Sequence, residues 1–137
     1  MKKLILLLLI AMITLTVSAN NISTHKQDGK IVHPTASITN DQAIVIVNKM
    51  RGKANDAEKV ALIKEEINAQ QGYQTTGLTT DQVIMLLNQL NEDPKLEVAI
   101  WAFQYTIDYK KYQRIQDLFN TEINKRKLQD YVDKHRK

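Results

Sequence analysis

Apolar residues return every three to four positions in six stretches of this chain, and two of those stretches open on the same phrase. Ile38-Thr39-Asn40-Asp41-Gln42-Ala43-Ile44 recurs as Leu78-Thr79-Thr80-Asp81-Gln82-Val83-Ile84, each copy followed by an apolar run. An internal repeat sets the architecture before any other signal does. In both copies Thr-x-x-Gln precedes the periodic segment, so Thr39 and Thr79 are expected as N-caps, with Gln42 and Gln82 closing capping boxes. Leu78 is expected to meet Val83 as a hydrophobic staple, and Ile38 to meet the smaller Ala43.

The rest of each copy follows. Helix 1A should end near Gly52, placed as a C′ glycine just past Arg51, and Asn55 with Glu58 three residues on caps helix 1B, which buries Val60, Ile63 and Ile67. Helix 2A carries Val83, Leu86, Leu87 and Leu90 on one face. Asp93, with Pro94 at the first helical position, starts helix 2B, whose stripe is Leu96, Ala99, Ile100, Phe103 and Ile107. A third, more diverged pair opens at Asp108: helix 3A with Tyr112, Ile115 and Phe119, then helix 3B with Leu128, Tyr131, Val132 and His135. Ala43 to Val47 is uniformly apolar and β-branched, and alone reads as a buried strand. Its capping box and its alignment to helix 2A make it a helix instead, and one apolar all round is expected to be central and covered on both sides.

The predicted fold is therefore all-α, a short array of three helix-hairpin repeats after a flexible N-terminal leader. Isolated short helices are marginal in water, so each pair must bury its face on the next. Residues 1–19 read as a secretory signal peptide: Lys2 and Lys3, then the run Leu4 to Val17, then Val17-Ser18-Ala19 as a cleavage site. That run of 14 residues falls short of the roughly 17 to 25 that a membrane span needs. Residues 20–37 are polar and aperiodic and are expected to form the leader, and 38–137 the helical domain. There is no cysteine, so disulfides, thiolate chemistry and a lipid carried on cysteine are excluded. The expected location is periplasmic or extracellular.

The stretch from Thr79 to Val132 resembles a known family. Its Gln82-Val83-x-x-Leu86-Leu87 helix, Lys95-Leu96-Glu97, the aromatic-rich helix after it, Asp108 at a junction, Tyr112 and Phe119 in the next helix and a closing Lys127-Leu128-x-x-Tyr131 look like domain of unknown function 4476, found largely in secreted bacterial proteins. The sequence departs from the pattern at Leu90, where the family often carries an aromatic. The resemblance implies an all-helical repeat fold and export, and it brings no catalytic residues, cofactor or ligand.

Charge and candidate chemistry narrow the function. Without Lys2 and Lys3 the chain has 17 basic against 15 acidic residues, too mild a balance to argue for nucleic acid. Histidines fall at His25, His33 and His135, too scattered for a metal site, and His135 is expected to pack or cap. The serines left after signal removal, Ser23 and Ser37, lie in the leader, which leaves no held nucleophile. Glu65, Glu66, Glu92, Glu97 and Asp117 could supply a hydrolytic carboxylate pair but sit on predicted solvent faces or caps.

The distinctive surface is an aromatic and basic cluster at the junction of helices 2B and 3A: Trp101, Tyr105, Asp108, Tyr109, Lys110, Lys111, Tyr112 and Arg114. Tyrosine and arginine dominate protein interfaces, so the cluster is a candidate interaction patch. The competing reading packs Tyr105 and Tyr112 between repeats and leaves the cations solvated. A non-catalytic module that needs no cofactor and binds another envelope or secreted protein follows as the expected function. The alternative is binding of anionic membrane or glycan through the basic C-terminal helix.

Overall fold

The computed structural model describes residues 26–27, 30–70 and 76–136. The expected signal peptide, most of the leader's first half and His25 lie outside the described residues. The elements are β1 (Lys26–Gln27), β2 (Lys30–Ile31), β3 (Ala36–Ser37), α1 (Asn40–Arg51), α2 (Asp56–Gln70), β4 (Thr76–Gly77), α3 (Thr80–Leu87) and α4 (Glu92–Ala102). A 3₁₀ turn (Phe103–Tyr105), a long 3₁₀ helix (Tyr109–Leu118) and α5 (Glu122–His135) complete the described chain.

The repeated phrase folds the same way twice. Thr39 and Thr79 both sit in extended backbone, with φ/ψ of −73/159 and −79/159, and both capping boxes close in full. Asn55 caps α2 by accepting from Glu58 N at 2.9 Å. Helices pack as sequential pairs, α1 on α2, α3 on α4, the long 3₁₀ helix on α5. The first members stack side by side as α1–α3–3₁₀, and the second members as α2–α4–α5. One apolar core runs between the two layers, from Met50 and Ile63 through Leu86, Leu87 and Phe103 to Ile115 and Leu128.

Hydrogen bonds at the helix starts tie each layer lengthwise. In the first layer Gln82 Nε2 donates back to Ile38 O (2.8 Å) and Asn40 Oδ1 (3.0 Å), while Asp108 accepts from Thr80 N (2.7 Å). In the second, Asp56 accepts from Asn91 N and Nδ2, and Glu92 accepts from Asn120 N, Thr121 N and Asn124 Nδ2. Each acid sits at a helix start and satisfies free N–H groups at the start of a neighbouring helix, where negative charge is also favoured by the helix dipole.

A thin parallel ladder joins the entries to the first-layer helices. β3 pairs with β4 in the register Ala36↔Thr76 and Ser37↔Gly77, and Leu78 bridges to Thr106. Ile38 N donates to Gly77 O, Leu78 N to Tyr105 O and Ile107 N to Leu78 O, all at 2.8 to 2.9 Å.

Several expectations change. The described part of the expected leader is ordered: β2 pairs with β1, Pro34 is buried, Ile31 packs on the core and β3 belongs to the ladder. Backbone pairing and burial hold this segment, which we call the strap. Among the described residues α1 is not covered on both sides; it packs on α2 and α3, and Ile44 and Val45 remain 45% and 51% exposed. Gly52 does end α1 but at φ −80, a right-handed conformation, so no left-handed cap forms. Asn91 rather than Asp93 holds the N-cap position of α4, which starts at Glu92, without a side-chain capping bond, and Pro94 in the first turn forfeits no helical hydrogen bond. α4 stops at Ala102, because Thr106 turns extended and its hydroxyl donates to Ala102 O at 2.8 Å; Ile107 therefore joins the ladder rather than a helical stripe.

Helix 3A is a 3₁₀ helix, and Asp108 makes no side-chain cap on it. The sequence explains the pitch. Tyr109, Tyr112, Ile115 and Leu118 recur at every third residue and are the inward positions of this segment, which is the period of a 3₁₀ helix.

Candidate functional site

The junction predicted as an interaction patch is where α4 ends, the strap crosses and the long 3₁₀ helix begins. The structure divides its residues among three environments. Tyr112 is fully buried and its hydroxyl donates to Ala99 O at 2.6 Å, with burial pushing the phenol pKa well above its usual value. Its ring meets Phe103 edge-on at 5.1 Å. Tyr112 is thus a core residue and is corrected out of the patch: period-three spacing turns it inward with Ile115.

Tyr109 belongs to a second environment, shared with the strap. His33 stacks on it at 3.8 Å and 9° and meets Phe103 edge-on at 5.0 Å. Phe103 also touches Tyr131, whose ring packs on His135 at 4.2 Å. His135 Nδ1 lies 2.7 Å from Tyr131 O, so this histidine packs against its own helix as expected. The His33 imidazole is half-buried, with Nδ1 enclosed and without a hydrogen-bond partner among the described residues. Burial holds its pKa below the ordinary 6.5, partly opposed by the nearby backbone of Thr106 and Phe103.

Trp101 and Tyr105 form the third environment, a tilted pair at 4.7 Å in which both rings are partly buried. Burial raises the Tyr105 phenol pKa. Lys110 and Lys111 are exposed and make no ion pair among the described residues. Arg114 is exposed as well but is taken up by Asp81 at 2.9 Å, a surface pair worth little. Asp108 is held by Thr80, through both the amide and the hydroxyl. Of the predicted patch, Trp101, Tyr105 and Tyr109 remain partly exposed and Lys110 and Lys111 exposed.

The candidate carboxylates are held in structural contacts at three positions: Glu66 pairs with Lys49, Glu97 with Lys64, and Glu92 binds the start of α5. Hydrogen bonds from Asn120, Asn124 and Thr121 outweigh the upward effect of burial and hold the Glu92 pKa below its usual value. No three His, Asp or Glu side chains gather to hold a metal ion among the described residues. Sequence reasoning missed His33, which aperiodic neighbours had placed in the leader. It also missed an open groove of about 210 Å³ between α1 and α2, lined by Asp41, Gln42, Val45, Ile46, Glu66 and Gln70.

The His33 contact predicts a pH effect. With the folded pKa below the unfolded 6.5, the unfolded chain takes up the proton first. Stability is complete above about pH 6.5 and falls as pH drops from there through the lower folded value. Thermal melts across this interval should show a declining midpoint in the native chain and a nearly level one in His33→Phe. Equal slopes in the two proteins would mean that His33 is solvated. The carboxylates with lowered values, Asp56 (chiefly through Asn91 N), Glu92 and Glu122 (chiefly through Lys125), act in a separate and more acid range.

No curated protein and no solved structure matches the chain. A family model described as Domain of unknown function (DUF4476) matches residues 37–132, from the second residue of β3 to the last buried turn of α5. The match takes in both copies of the repeat, the junction and the third helix pair, so this chain belongs to the DUF4476 family of domains of unknown function.

Proposed function

We propose that this chain is an exported, non-catalytic helical module that binds another protein of the cell envelope or the secreted space. The observation that carries the reading is the junction surface. The Trp101–Tyr105 pair and Tyr109 are partly exposed at helix ends, followed in the chain by two exposed lysines, Lys110 and Lys111, that make no ion pair among the described residues. Aromatic side chains anchored at one side and exposed at the other lose little conformational entropy on binding, which is why they dominate interface energetics. The apolar run after Lys2 and Lys3 supports export.

Binding of anionic lipid or glycan through α5 ranks second. Arg126, Lys127, Lys134 and Arg136 are exposed, but Asp130 and Asp133 are exposed among them, so the surface is mixed rather than cationic.

Affinity capture from a native envelope extract tests both. One stoichiometric partner is expected with the native chain and is expected to be lost with Lys110→Glu combined with Lys111→Glu. These side chains are exposed, so circular dichroism should be unchanged. Salt-sensitive binding to anionic vesicles, with no captured protein, would replace the protein-binding reading by the lipid one.

A further inference from the structure

The two ends of the helix array differ. The outer side of α5 is mostly polar, with Arg126, Lys127, Asp130 and Lys134 exposed, and its one strongly exposed apolar residue, Ile123, stands alone in the first turn. At the other end α1 exposes Ile44 and Val45. Their counterparts in the second copy, Ile84 and Met85, are partly buried against the core, because α3 has a helix on each side where α1 has one. Among the described residues, the first copy thus lacks a cover that the second receives from its neighbours.

The charges around the exposed pair say what fits there. Asp41, Val45 and Lys49 are all exposed and lie at i, i+4 and i+8, one line along α1. Val45 is at its centre, with the carboxylate about 6 Å to one side and the ammonium about 6 Å to the other. Such a line is complementary to itself when reversed. Asp41 makes no ion pair among the described residues, and Lys49, though bonded to Glu66, is half exposed and retains N–H donors.

We propose that two copies of this chain associate through α1, antiparallel about a two-fold axis at Val45. Each Asp41 then faces Lys49 of the other copy, and Ile44 and Val45 of both copies leave water. The groove beside Val45, about 210 Å³ between α1 and α2, gives a facing aliphatic side chain room to enter. A parallel pairing would set Asp41 on Asp41 and Lys49 on Lys49, so charge alone selects the antiparallel arrangement. The contact uses the same surface on both copies and therefore closes as a dimer rather than growing into a filament. It is independent of the junction surface and of whatever that surface binds.

Sedimentation velocity on the purified chain over a wide concentration range tests the proposal. A monomer–dimer equilibrium is expected. Val45→Asp should raise its dissociation constant at least about tenfold by placing two carboxylates on the axis. The thermal melt of that variant at low concentration should match the native one, since Val45 is exposed. Asp41→Lys and Lys49→Asp should each dimerise more weakly than the native chain. Mixed in equal amounts they should form a heterodimer. The new ammonium of the first variant then faces the new carboxylate of the second, and the unchanged Lys49 of the first faces the unchanged Asp41 of the second. A chain that stays monomeric at millimolar concentration, a dimer indifferent to Val45→Asp, or single-charge variants that fail to combine would each overturn the proposal.

Discussion

Replacing Gly77 by alanine is expected to destabilise the protein by about 3 kcal/mol, the upper end of the range for forced overpacking. A Cβ at this position would lie 2.1 Å from Tyr105 O and 2.4 Å from Pro34 Cγ. Neither neighbour can move without cost. Tyr105 O accepts from Leu78 N, and Pro34 is buried beside His33 in the strap. The glycine is required by this close approach of backbone segments and not by its own torsion angles. Gly52→Ala is the control: the nearest atom to its Cβ is Lys49 O at 3.4 Å and φ is −80, so little change is expected. Urea unfolding midpoints compare the two. Equal midpoints would show that the ladder and strap do not close over Gly77. Because His33 reaches Tyr109 through the same strap, Gly77→Ala should also flatten the pH dependence assigned to His33.

Tyr112→Ala is expected to cost about 3 to 5 kcal/mol, as removal of a large buried ring does elsewhere. Tyr112 lies between Phe103 and the α4 backbone, where its hydroxyl meets Ala99 O at 2.6 Å. Tyr112→Phe separates the two contributions. It keeps the ring, loses the hydrogen bond and leaves a buried carbonyl short of a donor, for about 1 kcal/mol. A globular domain has only about 5 to 15 kcal/mol of net stability, so the alanine variant should be partly unfolded near body temperature while the phenylalanine variant stays folded. An alanine variant with the native urea midpoint would place the ring in solvent and return it to the interaction patch. The same result bears on any binding study: loss of a partner in a Tyr112 variant reports unfolding, whereas loss in Lys110→Glu with Lys111→Glu reports the surface.

Where local chemistry is sufficient, the sequence was readable. Thr39 and Thr79 cap α1 and α3 because each capping box is complete within four residues, and these boxes outweigh the β-branched character of Ala43 to Val47. Val60, Ile63, Ile67, Leu86 and Leu128 are buried as their spacing requires. The 3₁₀ helix was also readable in principle, since Tyr109, Tyr112, Ile115 and Leu118 repeat at three. Taking Phe119 in place of Leu118 gives a spacing that fits an α-helix as well, and Tyr112 was then free to be placed on either face.

Other features carry no local signature. The ladder consists of two-residue strands and one bridge whose partners lie about 30 to 40 residues away, so no alternation along the chain announces it. Asp56, Glu92 and Asp108 look like ordinary first-turn acids in sequence, yet each binds the start of a different helix.

By itself, then, the sequence determined the family, the helical class, the repeated cap and most of the core, because capping and amphipathic burial act over three to eight residues. Tertiary structure alone decided which surfaces remain exposed. Tyr112 points inward because the 3₁₀ pitch meets α4, His33 is ordered because the strap crosses Gly77 to reach Tyr109, and Ile44 and Val45 face solvent because α1 is the first helix of its layer. Exposure depends on which elements stand next to one another, and residues far apart in the chain set that arrangement.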